Sequence, residues 1–420
     1  MTQTTHYEAI VARELAGSRK YFSGVLDRAK AEGISAEELA PELGAMALAM
    51  GISKPGYASG YAVAALMQEI VVRHMREHKT FCYGAVLENR LLTDLIDAIG
   101  GEFERMGVPR AQVLADMSLA VVMQFQVAAY ELSGKRTYDV SPGLAEQLSE
   151  TELRGVMADD LRLPYEALYV VVPARAGLRV YNQMTGWHRC VGLYLAEDPD
   201  LNRSEGVKLH GKWGADGKPV RGWRVMAIGD DRGELTKGDD AVVYFNIPFP
   251  DGESLDSILE WVEGNFQAMT EDHREVTGID KMAEEWRRIF KWAMNVALYV
   301  THIEPGERWM MNTEAQRLWD RIQKLPKKSG KRQKLKARFQ SLDPRYRMVI
   351  GKSITVKRGV TRGEGQSSKG RKLLHTKTRV AGHWRRVAHG AGRALRTWKW
   401  IAPYWKFKDG IELSKSHMVK

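Results

Sequence analysis

Apolar residues recur at three- and four-residue spacing through most of the first 140 positions, and then the rhythm changes. The early period predicts amphipathic helices. "GISAEELAPELGAMALAM" opens one of them, with Ser35 as N-cap and Glu38 three residues later, the two halves of a capping box. "KPGYASG" (54–60) reads as a loop, the helix after it runs to about His78, and two more are expected near 85–106 and 110–133. There is little strand signal before Leu161. Between 161 and 250 come "EALYVVVPA", "LRVYNQ", "HRCVGLYLA", "GWRVMAIGD" and "AVVYFNIPF", short β-branched and aromatic runs separated by Gly, Asp and Pro. "GADGKPVRG" (214–222) predicts a hairpin loop with Asp216-Gly217 at its tip. Two helices follow, "ESLDSILEWVEGNFQAM", capped by Ser254, and the long "IDKMAEEWRRIFKWAMNVALYVTHI". One antiparallel sheet with two helices on one face is the simplest way to bury these patterns.

Further on, Thr313 and Gln316 predict a capping box for one more helix, ended by Pro326, with "KKSGK" as an exposed linker. "GVTRGEGQSSKGRK" (359–372) is Gly/Ser/Lys-rich and reads as a mobile connection. The fold class is α+β: an all-α domain over 1–150, an α+β peptide-binding domain with a central antiparallel sheet over 151–312, a basic helix and linker over 313–358, and a small basic β-rich module over 359–420.

Charge sharpens this division. The 420-residue chain has a formal net charge of +11, but 28 of its 63 Lys and Arg and only 4 of its 52 Asp and Glu fall between Lys324 and Lys420. An acidic body therefore carries a strongly basic C-terminal quarter, the asymmetry of a chain that meets a polyanion at one end. Two distant cysteines, Cys82 and Cys190, make no disulfide framework and fit a reducing cytoplasm. No signal peptide is legible in "MTQTTHYEAIVAREL", and Asp116, Gln124 and Gln126 mark the most apolar helix as buried in protein rather than lipid. No membrane partner is expected. No phosphate loop, nucleophile elbow, dinucleotide fingerprint or zinc-finger spacing occurs, and no cofactor is expected. "HMREH" (74–78) matches H-x-x-E-H, with His74 and His78 one helical turn apart. No companion motif supplies a third ligand, and histidines in a last turn favour the negative helix end, so no metal is assigned.

The chemistry concentrates in "RVAGHWRRVAHGAGRALRTWKWIAPYWK" (379–406), which holds seven Lys or Arg, four Trp and two His, and no acid. Cations neutralise phosphates and aromatic faces stack on unpaired bases, so this composition points to a nucleic-acid surface. Its candidates are Lys377, Arg379, Arg385, Arg386, Arg393, Arg396, Trp398 and Trp400. "TRVAGHWRR" reads as one strand with Arg379, Ala381, His383 and Arg385 on one face, and "RTWKWIAPYW" as a second with Trp398 and Trp400 together. A loop with Gly390 and Gly392 joins them and brings His383, Arg385 and Arg393 close. His383 for proton transfer, with Arg379 and Arg385 against developing phosphorane charge, is the kit of a metal-independent ribonuclease. The other reading makes Trp384, Trp398, Trp400 and Trp405 a small core and His383 a structural histidine.

Five stretches in order, "LRLPYEALYVVV" (161–172), "RGWRVMAIGD" (221–230), "AVVYFNIPFPDGESLDSILE" (241–260), "FKWAMNVALYVTHIEP" (290–305) and the tail from "HTKTRVAGHWRR" to "RTWKWIAPYW" (375–405), resemble a type V-A anti-CRISPR protein family. The resemblance covers about residues 160–405, and the G-H-W followed by a glycine pair and a Trp-rich strand is its most specific element. It implies an inhibitor, carried by a phage, plasmid or other mobile element, that recognises the nascent N-terminal peptide of a CRISPR effector nuclease on the ribosome and triggers translation-dependent loss of its mRNA. The acidic body would then read the peptide and the basic tail would face messenger or ribosomal RNA. The alternatives are a metal-independent ribonuclease of phage or plasmid origin and a non-enzymatic RNA- or DNA-binding accessory protein.

Overall fold

The computed structural model describes residues 7–52, 58–182, 186–203, 218–229, 241–271, 279–303, 313–326, 329–341, 346–351 and 378–406. Six helices come first: α1 (Tyr7–Glu32), α2 (Ala36–Ile52), α3 (Ala58–His78), α4 (Tyr83–Leu87), α5 (Arg90–Arg105) and α6 (Arg110–Leu132). The capping box forms as the spacing predicts: Ser35 Oγ accepts from the Glu38 amide at 3.3 Å, and the Glu38 carboxylate accepts from the Ser35 amide at 3.1 Å. Then follow β1 (Arg136–Val140), α7 (Pro142–Ser149), β2 (Thr151–Glu152), β3 (Ala167–Val171), β4 (Arg179–Asn182), β5 (Gly186–Asp198), β6 (Gly222–Gly229) and β7 (Ala241–Pro248). The chain continues through α8 (Leu255–Glu271), α9 (Ile279–His302), α10 (Thr313–Gln323), α11 (Gly330–Ser341), β8 (Tyr346–Ile350), β9 (Thr378–Val380), β10 (Gly382–His389), β11 (Leu395–Ile401) and β12 (Tyr404–Lys406). Ser254 caps α8, its Oγ accepting from the Ser257 amide at 3.1 Å. The Asp216-Gly217 turn, the 359–372 connection and Lys377 lie outside the described residues.

The main sheet is mixed rather than antiparallel. Its order is β7-β6-β5-β3-β1-β8, with β4 also paired to β5. β3, β5, β6 and β7 pair antiparallel, as expected, but β1 runs parallel to both β3 and β8. Helices cover both faces of this sheet, not one. Along β3, Leu168 and Val170 enter one core with Leu193, Leu195, Val225 and Ala227, where they meet Ile258 and Val262 of α8 and Phe290 and Ala293 of α9. Tyr169, Tyr194, Met226 and Ile228 point the other way and pack with Tyr130 of α6. Alternate side chains of a strand face opposite sides, so a strand buried on both reads as a continuous apolar run. Each large side chain buried this way contributes about 1.5–3 kcal/mol.

A buried charge ties the helical layer to the sheet. Arg224 of β6 is 1% exposed. Its Nε donates to Asp198 at 2.6 Å, its Nη1 donates to the Tyr244 hydroxyl at 2.6 Å and to Asn246 at 3.0 Å, and the guanidinium lies 4.4 Å from the Tyr83 ring centre. Asp198 also accepts from the Tyr83 amide at 3.2 Å. Burial works against the Arg224 charge, and Tyr244 and Asp198 more than offset it, so the group stays firmly protonated. Beside this cluster, α4 sits so close to the turn at Leu201–Arg203 that a Cβ on Gly84 would lie 2.6 Å from the Arg203 backbone.

Past α9, the one expected helix is α10, and α11 follows where a linker was expected. The two helices share a small core of Leu318, Ile322 and Phe339, with Trp319 and Leu335 packed on it. Among the described residues no helix is long and apolar enough to cross a membrane.

Candidate nucleic-acid interface

The Trp-rich segment folds as an antiparallel hairpin of β10 and β11, joined by a short 3-10 turn at Ala391–Arg393. Gly390 and Gly392 take positive φ, 78° and 61°, the conformation that made glycine necessary there. Arg393 adopts it too, at φ 57°, a cost of about 1–2 kcal/mol for a residue with a Cβ.

The hairpin is docked, not free. β10 extends β2 in parallel, Gly382 opposite Thr151 and His383 opposite Glu152. The approach requires a glycine: a Cβ on Gly382 would lie 2.5 Å from Thr151 Oγ1 and 2.9 Å from Pro403 Cδ. Trp384 and Trp398 belong to the core under the sheet, 4% and 8% exposed. Trp384 Nε1 donates to Asn295 Oδ1 at 2.7 Å, and Asn295 Nδ2 donates to the Thr151 carbonyl at 3.1 Å. Trp400 is half-buried, donates to Thr151 Oγ1 at 3.2 Å and meets Tyr299 edge-on with ring centres 5.4 Å apart. The indoles thus build the core, and the ring faces of Trp384 and Trp398 are closed to a stacking base. Asn295 and Thr151 hold them, Asp160 holds the Arg386 that covers Trp398, and none of the three was singled out in the sequence. Asn295 carries a visible signal, a lone amide inside the apolar run "WAMNVALYV".

The register sorts the cations. Trp384, Arg386 and Ala388 share a face with Trp400, Trp398 and Arg396, which lie directly opposite them. Arg386 is spoken for: its guanidinium lies 5.0 Å from the Trp398 ring centre and pairs with Asp160. On the other face Arg385 stands directly opposite Lys399. Both are exposed, and like charges facing across a ladder are destabilising. Among the described residues no acid pairs with Arg385, Arg393, Arg396 or Lys399. The hairpin therefore carries uncompensated positive charge on both faces and at its tip.

The predicted catalytic set is only partly assembled. His383 and Arg385 share a face two residues apart, and His383 Nδ1 lies 3.5 Å from the Ala381 carbonyl. Arg393 is at the far end of the hairpin. Six residues separate His383 from His389 along β10, about 20 Å at the rise of a strand, so the expected approach of Arg393 to His383 does not occur. Arg379 lies on β9, opposite Trp405 of β12, in a separate two-stranded ladder.

In the helical layer, His74 and His78 stack with ring centres 4.4 Å apart, and the Asn89 amide bonds His74 Nδ1 at 3.0 Å. Burial, and then His78, push the His74 imidazole below its ordinary value. Among the described residues no group of three or more His, Cys, Asp or Glu is placed to hold a metal. The two histidines border a cleft of about 770 Å³ lined by α1, α2, α3 and α5 residues including Leu26, Leu39 and Arg73.

With the geometry in place, the sequence profile of the anti-CRISPR type V subtype A2 family, AcrVA2-like, matches residues 138–405. The chain belongs to this family. The match begins in β1 and ends in β12, so the mixed sheet, α7 to α11 and the docked hairpin are the family's portion. The cleft beside His74 lies outside it. Among solved structures, the crystal structure of AcrVA2 is similar over 86% of this chain and 97% of that chain, at 12% identity with a TM-score of 0.41. Among curated proteins none matches.

Proposed function

We propose that this anti-CRISPR family member recognises the nascent N-terminal peptide of a type V CRISPR effector on the ribosome and triggers loss of the message being translated. The α+β body reads the peptide and the β10–β11 hairpin faces messenger or ribosomal RNA in the cytoplasm. Membership of the family supports the effector as target. The observation that carries the RNA-facing half is the hairpin charge: Arg385 directly opposite Lys399, with Arg393 and Arg396 toward the tip, all exposed and unpaired among the described residues. A surface that holds like charges together without acids keeps its free energy for a polyanion.

The test is co-expression with a type V-A effector and measurement of the effector mRNA. The control is a frameshift that changes the N-terminal peptide and leaves nearly all of the RNA sequence intact. The mRNA falls with the native peptide and holds with the frameshifted one. An equal fall in both, or none in either, would overturn the reading.

His383 and Arg385 on one face keep a second reading in play, cleavage of RNA by the hairpin without a metal. It predicts that His383→Ala abolishes cleavage while RNA binding survives. Silencing undiminished in that variant sinks it.

A further inference from the structure

We infer that α11 is a second phosphate-contacting element and that the RNA it takes is double-helical. The inference rests on the RNA-facing reading of the hairpin and extends it to a helix that reading does not use. In 12 residues α11 carries Lys331, Arg332, Lys334, Lys336 and Arg338 and no acid. Lys331, Lys334 and Arg338 fall at i, i+3 and i+7, within one narrow stripe of a helix, and all three are exposed; Lys336, also exposed, lies on the other side of the apolar pair Leu335 and Phe339. Lys331 and Arg332 stand in the first turn, where the helix dipole is already positive, so the local potential is raised rather than relieved. Arg332 Nε is shut off from solvent with no hydrogen-bond partner among the described residues. Among the described residues no acid pairs with Lys331, Lys334 or Lys336, all exposed.

Two observations choose the partner. An amphipathic helix that lies on a membrane inserts an apolar face. The apolar residues of α11 are consumed: Phe339 is buried against Leu318 and Ile322, stacks on Trp319 with ring centres 5.2 Å apart, and Leu335 packs on the same core. Nothing remains to insert. An unstructured single strand is held by bases stacking on free aromatic faces. α11 exposes no aromatic ring, and of the hairpin's indoles Trp384 and Trp398 are in the core and Trp400 is half-buried against Tyr299, which among the described residues leaves Tyr404 of β12 as a lone exposed ring beside it rather than a row for successive bases. What both elements present is fixed cations on rigid secondary structure. That arrangement fits the fixed phosphates of a helical RNA, whose base edges side chains do not read and whose backbone and shape they do.

The experiment uses the full chain and four binding measurements across a salt series: a 20-base-pair RNA duplex, a DNA duplex of the same sequence, a single-stranded oligouridylate and phosphatidylserine vesicles. The RNA duplex binds tighter than the single strand, and the vesicles do not bind. Lys331→Gln/Lys334→Gln lowers the slope of log affinity against log salt for the RNA duplex by about two, at somewhat under one per lost phosphate contact, with far-UV circular dichroism and melting unchanged. Single strand or vesicles bound as tightly as duplex would overturn the inference, as would preference for a DNA duplex over RNA. A slope unchanged in the α11 variant but reduced in Arg385→Gln/Arg393→Gln/Arg396→Gln removes α11 and leaves the hairpin reading standing. A slope unchanged in both removes the two together.

Discussion

His74 shows how one side chain couples pH to the packing of two helices. It lies in the last turns of α3, and its Nδ1 accepts from Asn89 Nδ2 at 3.0 Å, while Asn89 Oδ1 caps α5 by accepting from the Leu92 amide at 2.9 Å. Burial and the neighbouring His78 hold its folded-state pKa below the ordinary 6.5. The unfolded chain therefore takes up this proton first as pH falls. His74's contribution is complete above about 6.5 and is lost as acid drives the folded imidazole to protonate, because the cation cannot accept from Asn89. Urea unfolding between pH 7.5 and pH 5 will show the midpoint falling with acid in the wild type and falling less in His74→Gln. Equal slopes in both proteins would mean that other groups carry the acid sensitivity.

At the scale of elements, the hairpin has two separable parts, an indole anchor and a charged surface. Trp384→Phe keeps the ring's bulk but strips the donor from Asn295 Oδ1, leaving a buried acceptor unsatisfied, and will cost about 1–3 kcal/mol in urea unfolding. Arg385→Gln should be neutral to slightly stabilising, within about 0.5 kcal/mol, because it relieves the repulsion across from Lys399. If Arg385→Gln destabilises as much as Trp384→Phe, the charged face is structural. The same elements mark what was legible. β3 to β7, α8 and α9 could be read because strands buried on both faces and a long amphipathic helix write their burial into local sequence. β1, "RTYDV", could not: Thr137 and Asp139 point toward the helical layer, where the Tyr130 hydroxyl bonds Thr137 Oγ1 at 2.6 Å, a buried polar position whose partner the local pattern does not show. β8 finds its place only by pairing with β1 some 210 residues earlier, and α11 has cations where a helical period would need apolar spacing. Within the site, the composition of the hairpin and its glycine turn were readable. The inward direction of the tryptophans was one of the two readings the sequence offered, and Trp384 and Trp398 bear it out; what was not readable is what seats them, Asn295 and Thr151, which reach Trp384 and Trp400 from other elements.

The whole molecule is held as three layers, and the junction between the helical layer and the sheet turns on one ion pair. Arg224 and Asp198 are 1% and 0% exposed, on adjacent strands β6 and β5, and each also touches α4: Arg224 through the face of Tyr83, Asp198 through its amide. A pair this deep gains little over a well-packed apolar replacement, but removing one partner strands the other charge without water. Arg224→Leu should therefore cost about 3–5 kcal/mol, and the damage should be located at the junction. Hydrogen exchange in α4 and in the turn at Leu201–Arg203 should accelerate first, with α8 and α9 on the opposite face of the sheet following only at global unfolding. Arg224→Leu/Asp198→Leu removes the stranded carboxylate and should recover a measurable part of the loss, since the two sites share one network and their costs will not add. Additive losses in the double variant would show that the pair is no latch and that the helical layer is held chiefly by apolar contacts such as those of α6 with Tyr169, Tyr194 and Met226. Recovery would place specificity, rather than bulk stability, in the pair: it fixes which face of the helical layer meets the sheet, and so fixes the acidic body on whose far side the basic hairpin is docked.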